Sequence, residues 1–202
     1  MRLDHIVIAG ATLAEATEMA EAALGVPFGP GGRHEIFGTH NRLLGLDDGL
    51  YIETIAADPD AEPPGRPRWF DLDAFDGAPR LTNWVCRTVD LNGLIQHLPG
   101  SGKPVAVARG DLRWQMAVPD RGRLPFDNLC PALIQWEGTA HPSQRLAKSG
   151  CRLARLIVTH PEASDLSALL EHRLSDPRVV FRTGPAGLSA EIETPDGMRV
   201  LA

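Results

Sequence analysis

The chain repeats itself. Leu3-Asp4-His5-Ile6-Val7-Ile8 opens it as an apolar strand, and Leu81-Thr82-Asn83-Trp84-Val85-Cys86 opens a second segment of the same kind. A later pair also matches: Leu50-Tyr51-Ile52-Glu53-Thr54-Ile55 and Leu133-Ile134-Gln135-Trp136-Glu137. From His5 to Glu53 is 48 residues and from Asn83 to Gln135 is 52. Near-equal spacing is the signature of an internal duplication. The first copy sets His5 and Glu53 in otherwise apolar strands, and the second sets Asn83 and Gln135 at the corresponding places.

Each copy reads as βαβββ. After the strand at 3–9, Thr12 and Glu15 form a capping box that starts a helix running to Leu24. Gly25 ends that helix and Pro27 prevents its resumption. Strands are predicted at 33–37, 41–46 and 50–57, the last two joined by Asp47-Asp48-Gly49. The second copy gives a strand at 81–88, a helix at 91–98 capped by Asp90, and strands at 104–109, 112–118 and 131–137. A shorter βαββ unit closes the chain: a strand at 152–159, a helix to about 174 capped by Ser164 or Asp165, and strands at 178–183, 187–194 and 198–201. It carries Arg155 where the copies carry His5 and Asn83, and is expected to extend or cover the sheet.

The resulting division is 1–57, a Pro-rich loop at 58–80, 81–145, and a C-terminal extension at 146–202, all within one α+β domain. The loop holds five prolines yet also Trp69 and Phe70, so part of it should pack over a pocket mouth.

Composition narrows the function classes. A formal charge of −6 with no basic run argues against nucleic-acid binding. Three cysteines without CxxC spacing argue against a disulfide framework or zinc ribbon. No signal-peptide pattern and no apolar run near the roughly 18 residues of a membrane span is visible, so a cytoplasmic protein is expected.

His5 and Glu53 share apolar strands, and a buried carboxylate must be paired, protonated or metal-bound. A buried His5–Glu53 ion pair and a ligand or metal site are both open. Glu137, two residues beyond Gln135, returns to the same face of its strand. Trp69, Trp84, Arg109, Trp114 and Trp136 could hold an aromatic or anionic small molecule, against core packing as the bland reading. His34 and His40 could line the cup but read first as surface histidines, and His141 reads as structural or as pocket lining.

Two such units in tandem resemble the vicinal oxygen chelate superfamily of glyoxalase I, extradiol dioxygenases and bleomycin-resistance proteins. The L-D-H-I-V-I opening, Tyr51-Ile52-Glu53, and the stretch from Ile134 to His141-Pro142 resemble its glyoxalase-like members. The resemblance covers about residues 1–145. It implies a cupped mixed sheet around a divalent ion (Zn, Ni, Mn or Fe) with no organic cofactor. Ligands carried over would be His5, Glu53, Asn83 and Gln135, with Glu53, Gln135 or Glu137 as catalytic groups. Trp69, Trp84, Arg109 and Trp114 would bind the ligand. The implied activity is that of a lyase, isomerase or dioxygenase on a small oxygenated substrate. The alternative is a non-catalytic ligand-binding or drug-sequestering protein of the bleomycin-resistance type. One chain is expected to complete the cup, with a homodimer left open.

Overall fold

A computed structural model describes all residues, 1–202. The first copy supplies β1 (Arg2–Ala9), α1 (Leu13–Leu24), β2 (Gly32–His34), β3 (Thr39–Gly45) and β4 (Tyr51–Ala57). The second supplies β5 (Arg80–Arg87), α2 (Leu91–His97), β6 (Lys103–Arg109), β7 (Leu112–Val118) and β8 (Ala132–Trp136). These strands form one sheet in the order β2-β3-β4-β1-β5-β8-β7-β6. The two halves mirror each other about the antiparallel β1–β5 seam, where Ile6 faces Trp84. The duplication is therefore a pseudo-twofold axis. Ala9 is the last strand residue before Gly10 and the Thr12 cap, whose capping box with Glu15 is formed. Gly25 closes α1 at φ 74°, a left-handed conformation glycine adopts without strain.

The sheet curls until its two edge strands meet: Arg109 of β6 lies across Gly32 of β2, where an added Cβ would come within 2.7 Å of its Cδ. Curvature gives the sheet an inside and an outside. Register places Ile6, Ile52 and Trp84 side by side on the outside, all fully buried. His5, Tyr51 and Val85 form the adjacent row on the inside.

The closing unit, β9 (Arg152–His160), α3 (Ala163–Leu170), β10 (Val179–Thr183), β11 (Gly187–Thr194) and β12 (Gly197–Leu201), builds a separate sheet ordered β10-β9-β11-β12. It covers the outside of the main sheet, with β11 against β5, β12 against α1, and Phe181 edge-on to Trp84 at 6.4 Å. Three local expectations change, one of them the end of α3, which stops at Leu170 and not near 174. Residues 35–37 turn as a 3-10 segment after a three-residue β2, and α3 begins after Glu162 without a side-chain cap rather than after Ser164 or Asp165.

Candidate functional site

Consecutive strand residues ordinarily point to opposite faces. A register shift in the β1–β5 ladder between Leu3 and His5 breaks that rule. Bulges of this kind re-aim side chains, and here Asp4 and His5 converge. Asp4 is fully buried and accepts from His5 Nδ1 at 2.7 Å, from His141 Nε2 at 3.0 Å and from Trp136 Nε1 at 3.1 Å. Arg87 stands 3.7 Å away. Burial pushes the Asp4 carboxyl up, but the hydrogen bonds and charges of His141 and His5 prevail and hold it well below the usual carboxylate range.

His5 lies between two carboxylates. Its Nε2 is 3.5 Å from Glu53 Oε2, and its ring stacks on Tyr51 at 4.3 Å. Burial works against its charge, yet the bonds to Asp4 and Glu53 raise its pKa to about 9. Both ring nitrogens therefore carry protons and donate. Glu53 faces His5 because β1 and β4 are parallel with Val7 opposite Glu53. Its other oxygen accepts from Asn41 Nδ2 at 2.5 Å, and burial is again overcome so that its pKa is lowered.

Asn41 extends the chain. Its Oδ1 accepts from Gly32 N at 2.8 Å and from Arg109 at 3.0 Å. Arg109 also approaches His34 Nε2 at 3.3 Å, and a guanidinium can only donate. His34 Nε2 therefore accepts, leaving Nδ1–H for Thr39 Oγ1 at 3.1 Å. Burial holds His34 neutral, with a pKa of about 4. Asp4 is thus met by His5, His141 and Arg87, and Glu53 by His5 and Asn41, with Arg109 reaching it only through Asn41.

His5, His34, Asn41, Glu53 and Arg109 line a cavity of about 30 Å³ inside the cup, closed by Phe70, Trp114 and Trp136. Phe70 reaches it from the Pro-rich loop with φ 60°, a strained conformation for a bulky residue. Asn128 ties that loop down, donating to the Phe70 carbonyl at 3.0 Å. Of residues 58–80, Phe70 packs over the pocket, while Trp69 and Leu72 are buried beside it without lining it.

The four expected metal ligands do not assemble. His5 and Glu53 meet. Asn83 is on the inner face opposite Val7, but it is spent on the 119–131 loop: it donates to the Asn128 carbonyl at 3.1 Å. Gln135 points outward and accepts from Leu91 N at 2.7 Å, capping α2. The pseudo-twofold explains the error. It carries Val7 onto Val85, and the parallel partner of Val85 is Ala132. Ala132, which has no donor atom, is the true counterpart of Glu53, and Gln135 lies an odd number of residues from it. Glu137 is exposed beyond the strand, so it does not repair the set.

Among the expected ligand-binding residues, Arg109 and Trp114 line the cavity. Trp84 is on the outer face, donating to the Leu129 carbonyl at 2.8 Å. Trp69 is stacked on Phe37 at 4.0 Å and meets His34 edge-on, outside the cavity lining. His34 is a buried cup residue rather than a surface histidine, while His40 pairs with Ala56 at the neighbouring, partly exposed position.

A divalent ion does not fit this donor set. Both nitrogens of His5 are used toward carboxylates, the Glu53 oxygens face His5 and Asn41, and His34 faces a guanidinium. No three His, Cys, Asp or Glu side chains group as metal ligands. Sequence reasoning missed Asp4 and Asn41, and it read His34 first as a surface histidine with cup lining as the alternative. The Asn41 parity was readable, since it lies two residues from Leu43, the cross-strand partner of Glu53, whereas the bulge that turns Asp4 inward has no signal in the sequence.

A family profile described as a glyoxalase-like domain matches residues 3–174. No curated protein matches the chain by sequence. A hypothetical protein from Staphylococcus aureus superposes with TM-score 0.62 at 18% identity, covering 92% of this chain and 86% of that one. Methylmalonyl-CoA epimerase from Mycobacterium tuberculosis aligns with TM-score 0.43 at 22% identity, over 68% of this chain and 88% of that one.

Proposed function

The chain belongs to the glyoxalase-like family of the vicinal oxygen chelate superfamily, and from that premise we propose that its cup binds a compact organic oxyanion and moves a proton on it. The observation that carries this reading is the contact of His5 and Glu53, 3.5 Å apart, in a small cavity that also receives Arg109. In the reaction proposed, the Glu53 carboxylate takes a proton from the carbon beside a carbonyl. Arg109 stabilises the enolate oxygen, His5 holds Glu53 in place through its Nε2–H, and Glu53 returns the proton to carbon. His34 and Asn41 position Arg109. Arg109 also closes the cup, so it swings aside on ligand entry and returns over Gly32 to the bound oxyanion.

A second reading, binding without chemistry, is favoured by the engagement of both Glu53 oxygens by Asn41 and His5, which leaves no free base in the cup.

One experiment separates the readings. Native protein, Glu53→Gln and Arg109→Gln are incubated with pyruvate in D2O, and loss of the methyl proton signal is followed by NMR alongside thermal melting. The proton-transfer reading expects exchange lost in Glu53→Gln and a pyruvate-induced melting shift lost in Arg109→Gln. A melting shift without exchange supports the binding reading, and neither effect removes both. Elemental analysis accompanies it: about one equivalent of divalent ion, lost in His5→Ala/Glu53→Ala, would overturn the metal-free site.

A further inference from the structure

Trp136 is a wall shared by the closed cup and by a second, open pocket of about 500 Å³. That pocket is cationic in a chain of net charge −6. Its lining includes Arg2, Arg87 and His141, with Thr88 and Thr139 hydroxyls, and no Asp or Glu. Arg2 and Arg87 are direct cross-strand partners in the β1–β5 ladder. Like charges placed directly opposite one another repel and destabilise the pair.

Little within the protein compensates this pair: Arg87 Nη1 meets only the His141 ring at 3.3 Å and Asp4 at 3.7 Å. Arg2 forms no ion pair. The nearest carboxylate to Arg87 is Asp4 at 3.7 Å, and Asp4 already accepts from His5, His141 and Trp136. The Arg87 Nε is buried without a hydrogen-bond partner. A guanidinium whose donors are incompletely met, beside the unpaired Arg2 guanidinium in an open pocket lined by no carboxylate, is an arrangement that an oxyanion completes. At the rim, Val89 is 95% exposed, an apolar contact offered to solvent.

We propose that Arg2 and Arg87 form a clamp for the carboxylate or phosphate of a small organic anion, whose apolar or aromatic body lies against Trp136 and Val89. This site is separate from the cup and does not depend on the cup's chemistry.

Isothermal titration of the full chain with phenyl phosphate and with benzoate, at matched ionic strength, tests the proposal. Saturable one-site binding is expected for at least one probe, and the stronger of the two identifies the anion class. Arg2→Gln and Arg87→Gln should each weaken it by about tenfold or more, while Arg109→Gln leaves it unchanged. Arg2→Gln without ligand should melt no lower than the native protein, because it relieves repulsion, so lost binding is not lost folding. The proposal falls if neither probe binds saturably, or if both arginine variants bind like the native protein. It falls equally if Arg109→Gln abolishes binding, which would place the anion in the cup.

Discussion

Asp4 and His5 are adjacent in one strand, yet Asp4 Oδ1 lies 2.7 Å from His5 Nδ1. The contact exists because the β1–β5 ladder slips between Leu3 and His5. Through it, Asp4 joins His141 and Trp136 on one side to His5 and Glu53 on the other, so one buried carboxylate holds the wall between the cup and the outer pocket.

Asp4→Asn should therefore be among the most destabilising single changes in the chain. It removes the negative partner of a buried imidazolium, a loss of about 3–5 kcal/mol. Urea unfolding measures it, with Glu137→Gln as a surface control expected within about 0.5 kcal/mol of native. Equal stability of the two variants would remove Asp4 from its central position.

Stability should peak near pH 6.5 and fall on both sides. His34 is protonated near 6.5 in the unfolded chain but only near about 4 when folded, so the unfolded state binds more protons between those values and stability falls as pH drops through them. His5 is displaced the other way. Its contribution is complete below 6.5 and is lost as pH rises through about 9. Each group gives a slope approaching about 1.4 kcal/mol per pH unit within its window. His34→Gln should flatten the limb between pH 6.5 and 4, and chemical unfolding across pH reads this directly. An unchanged acid limb would contradict the burial of His34.

Gly31→Ala and Gly32→Ala should differ sharply. A Cβ at Gly31 would sit 1.7 Å from the backbone carbonyl oxygen of Asn41, which cannot move without breaking the β2–β3 turn, so loss of several kcal/mol is expected. At Gly32 the obstacle is the flexible Arg109 side chain, 2.7 Å away. Gly32→Ala should fold, push Arg109 off Asn41, and weaken pyruvate binding. Melting temperatures and titrations of the pair check both halves.

Gln135→Ala tests the corrected assignment. Gln135 accepts from the first helical amide of α2, so its loss should cost about 1 kcal/mol and leave cup chemistry intact. Glu53→Gln should show the reverse emphasis, with pyruvate exchange lost. Loss of exchange in Gln135→Ala would return that residue to the site.

Much of this protein was determined by sequence alone. Alternating and continuous apolar runs located the strands, Thr12 with Glu15 and Gly25 bounded α1, and the repeated spacing gave the tandem βαβββ order. Those signals are local, and they survive because capping and side-chain alternation act over a few residues. The meeting of His5 with Glu53 also follows from sequence once the two strands are paired. Tertiary structure decided the rest. Which residue stands beside Val85 depends on long-range strand register, and an odd-numbered slip moves a side chain to the other face of the sheet. That is why Ala132, not Gln135, occupies the fourth position. The bulge that turns Asp4 inward, the curl that carries Arg109 to Asn41, and the alignment of Arg2 against Arg87 arise from contacts between distant segments, for which no short stretch of sequence holds the information.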